Sequence, residues 1–358
     1  MNVSNHETTS VGIYGSTDGL DRSVFIAGVV GATCLVGAFV GFLARSNLTA
    51  VLLIGFLLIV GYGWYVHQAR TAKGLSFLAT VSTVVTMALI IAFIVREALP
   101  VFELMGLDLV TKTGDELWNT SSNVYSLVPA MWGTLIETVL AMAIAGPLGV
   151  AGAVFIAEIA PGWLREIVKP GVEILAGVPS IVYGFIGFVI INSYLLENLE
   201  LSGLGSLFAV GLVVGIMALP TVVSAAEDAL TSVPESMKGG SLALGTTDWQ
   251  TTTSITIPAA FSGVSAAVLL GVGRAVGETM AATVILGNVV EFPSPLYDVF
   301  GDSVTLTSLI ASQYGNASGL HLQALFAAGV VSFITVLVLS VGSQFVERHM
   351  QRKLGGKE

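Results

Sequence analysis

Eight stretches of roughly 20 or more mostly apolar residues recur along the chain, at about 23–43, 48–67, 75–95, 131–157, 171–195, 204–224, 259–287 and 321–346. A helix needs about 20 such residues to cross a bilayer. The chain is therefore predicted to be an all-α polytopic membrane protein with about eight transmembrane helices. Composition agrees: 54% of residues are hydrophobic and 11% charged, against about 25% charged in a soluble domain.

The tail 1–22 is polar, with no basic segment before the first apolar run, and that run is too long for a signal peptide. It is read as a retained helix. Cys34 is the single cysteine and lies in an apolar run, where it serves as a small hydrophobe. The fourth and fifth runs are predicted to break at Gly146-Pro147 and Gly177-Val178-Pro179.

Loop charges orient the spans. With the N-terminus in the cytoplasm, ten Lys and Arg face inward: Arg22, Arg70, Lys73, Arg165, Lys169, Lys238, Arg348, Arg352, Lys353 and Lys357. Only Arg45, Arg96 and Lys112 face outward, as the positive-inside rule requires. Both termini are then cytoplasmic, and the outer loops are acidic. The organisation expected is a polar tail 1–22, two additional helices over 23–70, a transmembrane domain over 75–346 and a basic tail 347–358.

Two segments carry function. The inner loop 226–258 is too polar to span and too patterned for a plain linker. Ala229, Leu230, Val233, Met237, Leu242 and Leu244 recur at rough helical spacing. Gly245 can supply a left-handed turn, Asp248-Trp249 begins a second helix, and Pro258 interrupts that helix at the membrane. The loop is either a firm cytoplasmic knob or a surface-lying connector. The second segment is Gly271-Val-Gly-Arg274-Ala-Val-Gly-Glu278, which places Arg274 and Glu278 four residues apart and so on one helical face. An ionisable residue inside a membrane faces a partner or an aqueous path. The Arg fork suits an oxyanion, and a buried pair fixing helix register is the alternative. Glu137 could face the pathway or pair with a neighbour, whereas Glu173 suits capping or packing. His6, His67, His321 and His349 form no metal pattern, and no catalytic constellation is present.

The motifs resemble those of ABC importer permeases. Val233-Pro234, Ala243-Leu244-Gly245, Trp249-Gln250 and Ile257-Pro258-Ala259-Ala260 are similar to the coupling loop that docks on the ATPase, although Gly239-Gly240-Ser241 replaces the family's Glu-Ala-Ala. Gly273-Arg274-Ala275-Val276-Gly277-Glu278-Thr279-Met280 and Glu173-Ile174-Leu175-Ala176-Gly177-Val178-Pro179-Ser180 resemble PstC-type phosphate permeases. Gly133-Thr134-Leu135, Pro147-Leu148-Gly149 and Ile216-Met217-Ala218-Leu219-Pro220 extend the resemblance over roughly 130–345.

The resemblance implies that the last five or six helices form the permease core, with Arg274 and Glu278 as pathway residues. It assigns coupling to Val233, Pro234, Gly239, Ala243, Leu244 and Gly245. It implies phosphate import with an ABC ATPase dimer that binds ATP and Mg, a PstA-type sister permease, an extracellular phosphate-binding protein and membrane lipid, but no nucleic acid. The chain has no G-x-x-x-x-G-K-[ST] loop of its own, so it is expected to be a transport subunit and not an enzyme. A sulfate or molybdate permease, a secondary transporter and a non-transporting scaffold are the competing readings.

Overall fold

The computed structural model describes residues 22–199, 203 and 205–354. The predicted tails, 1–22 and 347–358, lie largely outside the described side chains. The chain divides into two compact units, Met1–Ile90 and Ile91–Glu358.

In the first unit, α1 (Arg22–Leu43) and α2 (Leu48–Val66) form a helical hairpin. The turn places Arg45 at φ 51°. Glycine on α1 lets α2 approach closely: a Cβ at Gly37 would lie 3.1 Å from Leu52. The third helix, α3 (Gln68–Met105), begins here and continues into the second unit.

The second unit opens with the end of α3, the short α4 (Asp108–Thr111) and an antiparallel hairpin of β1 (Trp118–Asn119) and β2 (Val124–Tyr125). Its centre is three helices. The first is α5 (Val128–Val154), extended by a π-helical turn to Ile159. Then come α6 (Gly162–Gly177), α7 (Ser180–Ile186), a π-helical turn Gly187–Asn192 and α8 (Ser193–Leu199). The second central helix is α9 (Leu207–Thr231). After α10 (Glu235–Ala243) and α11 (Asp248–Thr251), a π-helical turn Thr252–Thr256 leads into the third, α12 (Ile257–Val276). The chain ends with α13 (Met280–Ile285), α14 (Leu306–Gln313) and α15 (Leu320–Leu354).

Small residues set how the central helices pack, because in lipid close backbone approach replaces hydrophobic drive. Gly211 of α9 meets Leu140 of α5, Gly215 meets Ala141 and Ile144, and Gly149 meets Val222. Residue numbers rise together, so α5 and α9 run parallel. Gly263 of α12 meets Ala229 and Gly271 meets Val222, so α12 runs antiparallel to both. A Cβ at Gly211 would fall 2.5 Å from Leu140, closer than carbon atoms can sit.

Seven helical segments among the described residues are long and apolar enough to cross a membrane, and the stretch Gly28–Leu43 of α1 adds a shorter apolar one. Several boundaries depart from expectation. The fifth span starts at Ser180 and not near 171, because α6 is a separate amphipathic helix that ends at the Val178-Pro179 turn. Helix α5 passes through Pro147 unbroken. Pro258 does not interrupt the helix: it stands directly after the π-helical turn Thr252–Thr256, and the helical stretch Asp248–Val276 runs through it. The third span is a 38-residue helix, longer than the apolar run. The seventh run, 259–287, is not one helix: it stops at Val276.

Candidate functional site

The break after Val276 decides the geometry of the charged segment. Gly277 ends α12, and the chain leaves helical geometry until α13 begins at Met280. Arg274 and Glu278 therefore do not share a helical face, and among the described residues no ion pair joins them. Four-residue spacing places two side chains on one face only in an unbroken helix, and here the helix ends between them. Each residue has its own task. The half-buried Arg274 donates from Nε to the Met217 carbonyl of α9 at 3.2 Å. Its terminal nitrogens make no hydrogen bond to another described residue. The buried Glu278 accepts the Ala281 N–H through Oε1 at 3.2 Å, capping α13. An acidic side chain is favourable at that helix start.

The first turn of α14 locks this elbow to α5. Thr307 donates to the Glu278 carbonyl at 2.6 Å, and Leu306 N–H donates to Thr134 Oγ1 at 2.9 Å. Gly133 packs directly on the Val304 carbonyl, where no side chain would fit. Thr305 and Ser308 cap α14 reciprocally. Glu137 lies one turn beyond Thr134 and is 1% exposed. The segment preceding α14 is held by Asp302, which accepts N–H bonds from Gly287 at 2.9 Å and Ser303 at 2.8 Å. Burial raises the Asp302 pKa, and those two donors pull it back.

The second cluster is the α10–α11 elbow. Pro234 opens α10, and Gly245 adopts φ 86°, the left-handed turn expected from the sequence. Ser241, Thr246 and Thr251 close the elbow with a hydroxyl triangle of 2.9, 2.9 and 3.2 Å. Thr247 and Gln250 form a capping box on α11. Of the six coupling residues predicted, Pro234, Gly239, Ala243, Leu244 and Gly245 are exposed, and Leu244 is 88% so. Val233 instead turns inward, against Leu230, Ala226 and Ala260. Met237, Leu242 and Trp249 add to the exposed apolar surface.

Two ion pairs that sequence reasoning missed tie the elbow region down. Lys238 of α10 meets Glu158 at 2.9 Å. Lys169 of α6 meets Glu227 of α9 at 2.6 Å, a hydrogen bond that raises the Lys169 pKa against the opposing effect of its burial. Their partners lie 80 and 58 residues away, so no local pattern could have found them. Glu173 is exposed on α6. His321 bonds Gln313 at 2.8 Å.

Comparison with known proteins agrees with this architecture. A family model described as "Binding-protein-dependent transport system inner membrane component" matches residues 145–355. The "Probable ABC transporter permease protein YqgH" of Bacillus subtilis (strain 168) is 38% identical over 231 residues, covering 62% of this chain and 74% of that protein. The "Phosphate transport system permease protein PstC" of Pasteurella multocida (strain Pm70) is 35% identical over 261 residues, covering 67% and 80%. A solved bacterial alginate ABC transporter chain has the same fold at a TM-score of 0.52 and 15% identity, covering 81% of this chain and 98% of that one. With the family model spanning more than half of the chain, and its helices, elbow and glycine-mediated packing in place, this protein belongs to the binding-protein-dependent transport system inner membrane components.

Proposed function

We propose that the chain is the permease subunit of an ATP-driven phosphate importer, forming the anion path together with a PstA-type sister permease. The observation that carries the reading is the set of Arg274. Its Nε is fixed on a backbone carbonyl while the terminal fork has no hydrogen-bond partner among the described residues, the geometry for gripping an oxyanion. The PstC relative, 35% identical, supplies the substrate class. Phosphate enters from an extracellular binding protein and leaves to the cytoplasm. The α10–α11 elbow presents Met237, Leu242, Leu244 and Trp249 to a separate ATPase dimer, which binds ATP and Mg. The chain itself does no covalent chemistry. It sits in the cell membrane with both termini cytoplasmic, an orientation supported by its loop charges.

Uptake of radiolabelled phosphate by the reconstituted complex tests this. Import should require ATP and the binding protein, and excess sulfate or molybdate should not compete. Equal competition by sulfate would reassign the substrate. For orientation, a cysteine introduced at Asp115 should react with an impermeant reagent from outside, and one at Lys238 should not.

A further inference from the structure

The first unit holds a cavity of about 420 Å³ that the anion path leaves unused, within the roughly 300–1,000 Å³ of ligand sites. Helices α1 and α2 wall one side of it and the start of α3 the other. Helices α2 and α3 are pinned together at their turn: Thr71 donates to the His67 carbonyl at 3.1 Å, and Gly63 packs directly on Thr71. Glycine keeps the space beyond that point open. Gly28 of α1 and Gly74 of α3 both line the cavity, and a Cβ at either would meet no neighbouring element within 4 Å.

The cavity is apolar along its length and cationic at one end. Leu35, Phe56 and Ile59 line the apolar part, and Phe56 stands roughly 15 Å along α2 from the turn. Arg70 and His67 line the end at the turn, and Lys73 follows Arg70 by one helical turn. Neither Arg70 nor Lys73 makes an ion pair among the described residues, and residues 22–96 contain no Asp or Glu. The cationic end therefore has no counter-charge within its own unit. Tyr62, Trp64 and Tyr65 at the same end of α2 are exposed, as aromatic residues are where a helix meets the membrane surface. An apolar slot with a guanidinium at head-group depth fits a lipid whose head carries negative charge. Water finds too few polar partners along such walls to fill it, and a neutral lipid would leave Arg70 and Lys73 uncompensated.

We propose that this cavity binds one anionic phospholipid, with an acyl chain against Leu35, Phe56 and Ile59 and the head-group phosphate on the Arg70 fork beside His67. The lipid fills the space between the α1–α2 hairpin and α3, where no side chain of the unit reaches across. The site depends neither on the transported ion nor on which side of the membrane the turn faces.

The test uses the assembled complex in phosphatidylcholine nanodiscs doped with phosphatidylglycerol or phosphatidylcholine that carries the same photoreactive acyl chain. Illumination should attach the phosphatidylglycerol probe to cavity residues around Phe56 and Gly74 several-fold more than the phosphatidylcholine probe. Arg70→Gln should bring the first down to the level of the second. Gly74→Leu fills the cavity and suits a helix better than glycine does. It should lower attachment of both probes several-fold while the complex still co-purifies with the ATPase, and Gly28→Leu serves if it does not assemble. Millimolar inorganic phosphate should leave attachment unchanged, because the acyl chain anchors the lipid. Equal attachment of the two probes, displacement by inorganic phosphate, or wild-type attachment in the filled cavity would overturn the proposal. So would the absence of cavity attachment in the complex, which would mean that another subunit covers the cavity. If Arg70→Gln does not assemble, the ratio of the two probes on the wild type decides.

Discussion

Lys238 of α10 donates to Glu158 at the C-terminal end of the α5 segment across 2.9 Å, with the two side chains only 13% and 10% exposed. This bond joins the elbow to a membrane-spanning helix, so a push on α10 is delivered to α5. Breaking one side of a largely buried pair leaves an uncompensated charge, which costs up to about 3–5 kcal/mol where burial is full. Lys238→Met should therefore loosen α10 and lower ATP-dependent uptake several-fold, and Glu158→Gln should act alike. The double change Lys238→Met with Glu158→Met should restore co-purification with the ATPase. A double mutant no better than the singles would show that the pair does not couple the two elements.

Gly245 can be tested separately, because space and conformation separate cleanly there. No atom lies within 4 Å of where its Cβ would be, yet its φ is 86°. Substitution then costs only backbone strain, about 1–2 kcal/mol for an L-residue in left-handed geometry. Gly245→Val should insert and assemble normally while reducing uptake per ATP hydrolysed, since the turn no longer aims Leu244 and Trp249. Gly245→Pro should abolish coupled uptake. The check is the ratio of uptake to hydrolysis in proteoliposomes, and an unchanged ratio in both variants would reduce the elbow to a connector.

Much of this architecture was legible in the sequence because lipid imposes a simple rule on apolar run length. The Gly245 turn was legible too, since glycine is the residue that enters that conformation without penalty. Breaks were not legible in the same way. Gly146-Pro147 and Gly277 look equally disruptive, but α5 runs through Pro147 while α12 stops at Gly277. The difference is tertiary: the chain after Gly277 is captured by Glu278, Thr307 and the capped start of α14. The four-residue spacing of Arg274 and Glu278 consequently suggested a pair that the fold separates. Lys238–Glu158 and Lys169–Glu227 stayed hidden because their partners are distant in the chain.

Lys169 gives a pH-dependent handle outside the spans. Its hydrogen bond to Glu227 holds the ammonium pKa above 10.5. A pKa raised on folding means the folded state binds the proton more tightly. That stabilisation is fully present below the unfolded value and is lost as pH rises through the folded one. Lys169 is 42% exposed, so the effect is small. Thermal unfolding of the complex above about pH 10.5 should fall more steeply for the wild type than for Lys169→Met. Parallel alkaline limbs would assign the pair no role in fixing α6 on α9.

The last prediction separates anion binding from packing at Arg274. Because Nε is held by the Met217 carbonyl, Arg274→Lys keeps a positive charge but loses both the anchor and the planar fork. One charge-assisted hydrogen bond is worth about 1.5–3 kcal/mol, so phosphate uptake should fall roughly ten- to a hundredfold while the complex still assembles. Arg274→Gln should abolish uptake. Glu278→Gln keeps the acceptor that caps α13 at Ala281, so assembly should survive it. Since the two side chains form no ion pair, neutralising both should not restore what Arg274→Gln loses: sites without a direct interaction do not rescue one another. Co-purification with the ATPase and phosphate uptake are measured on the same membranes for both single variants and the double. Recovery of uptake in the double variant would mean that Arg274 and Glu278 work as a neutralising pair, and the free fork would lose its role as the anion ligand.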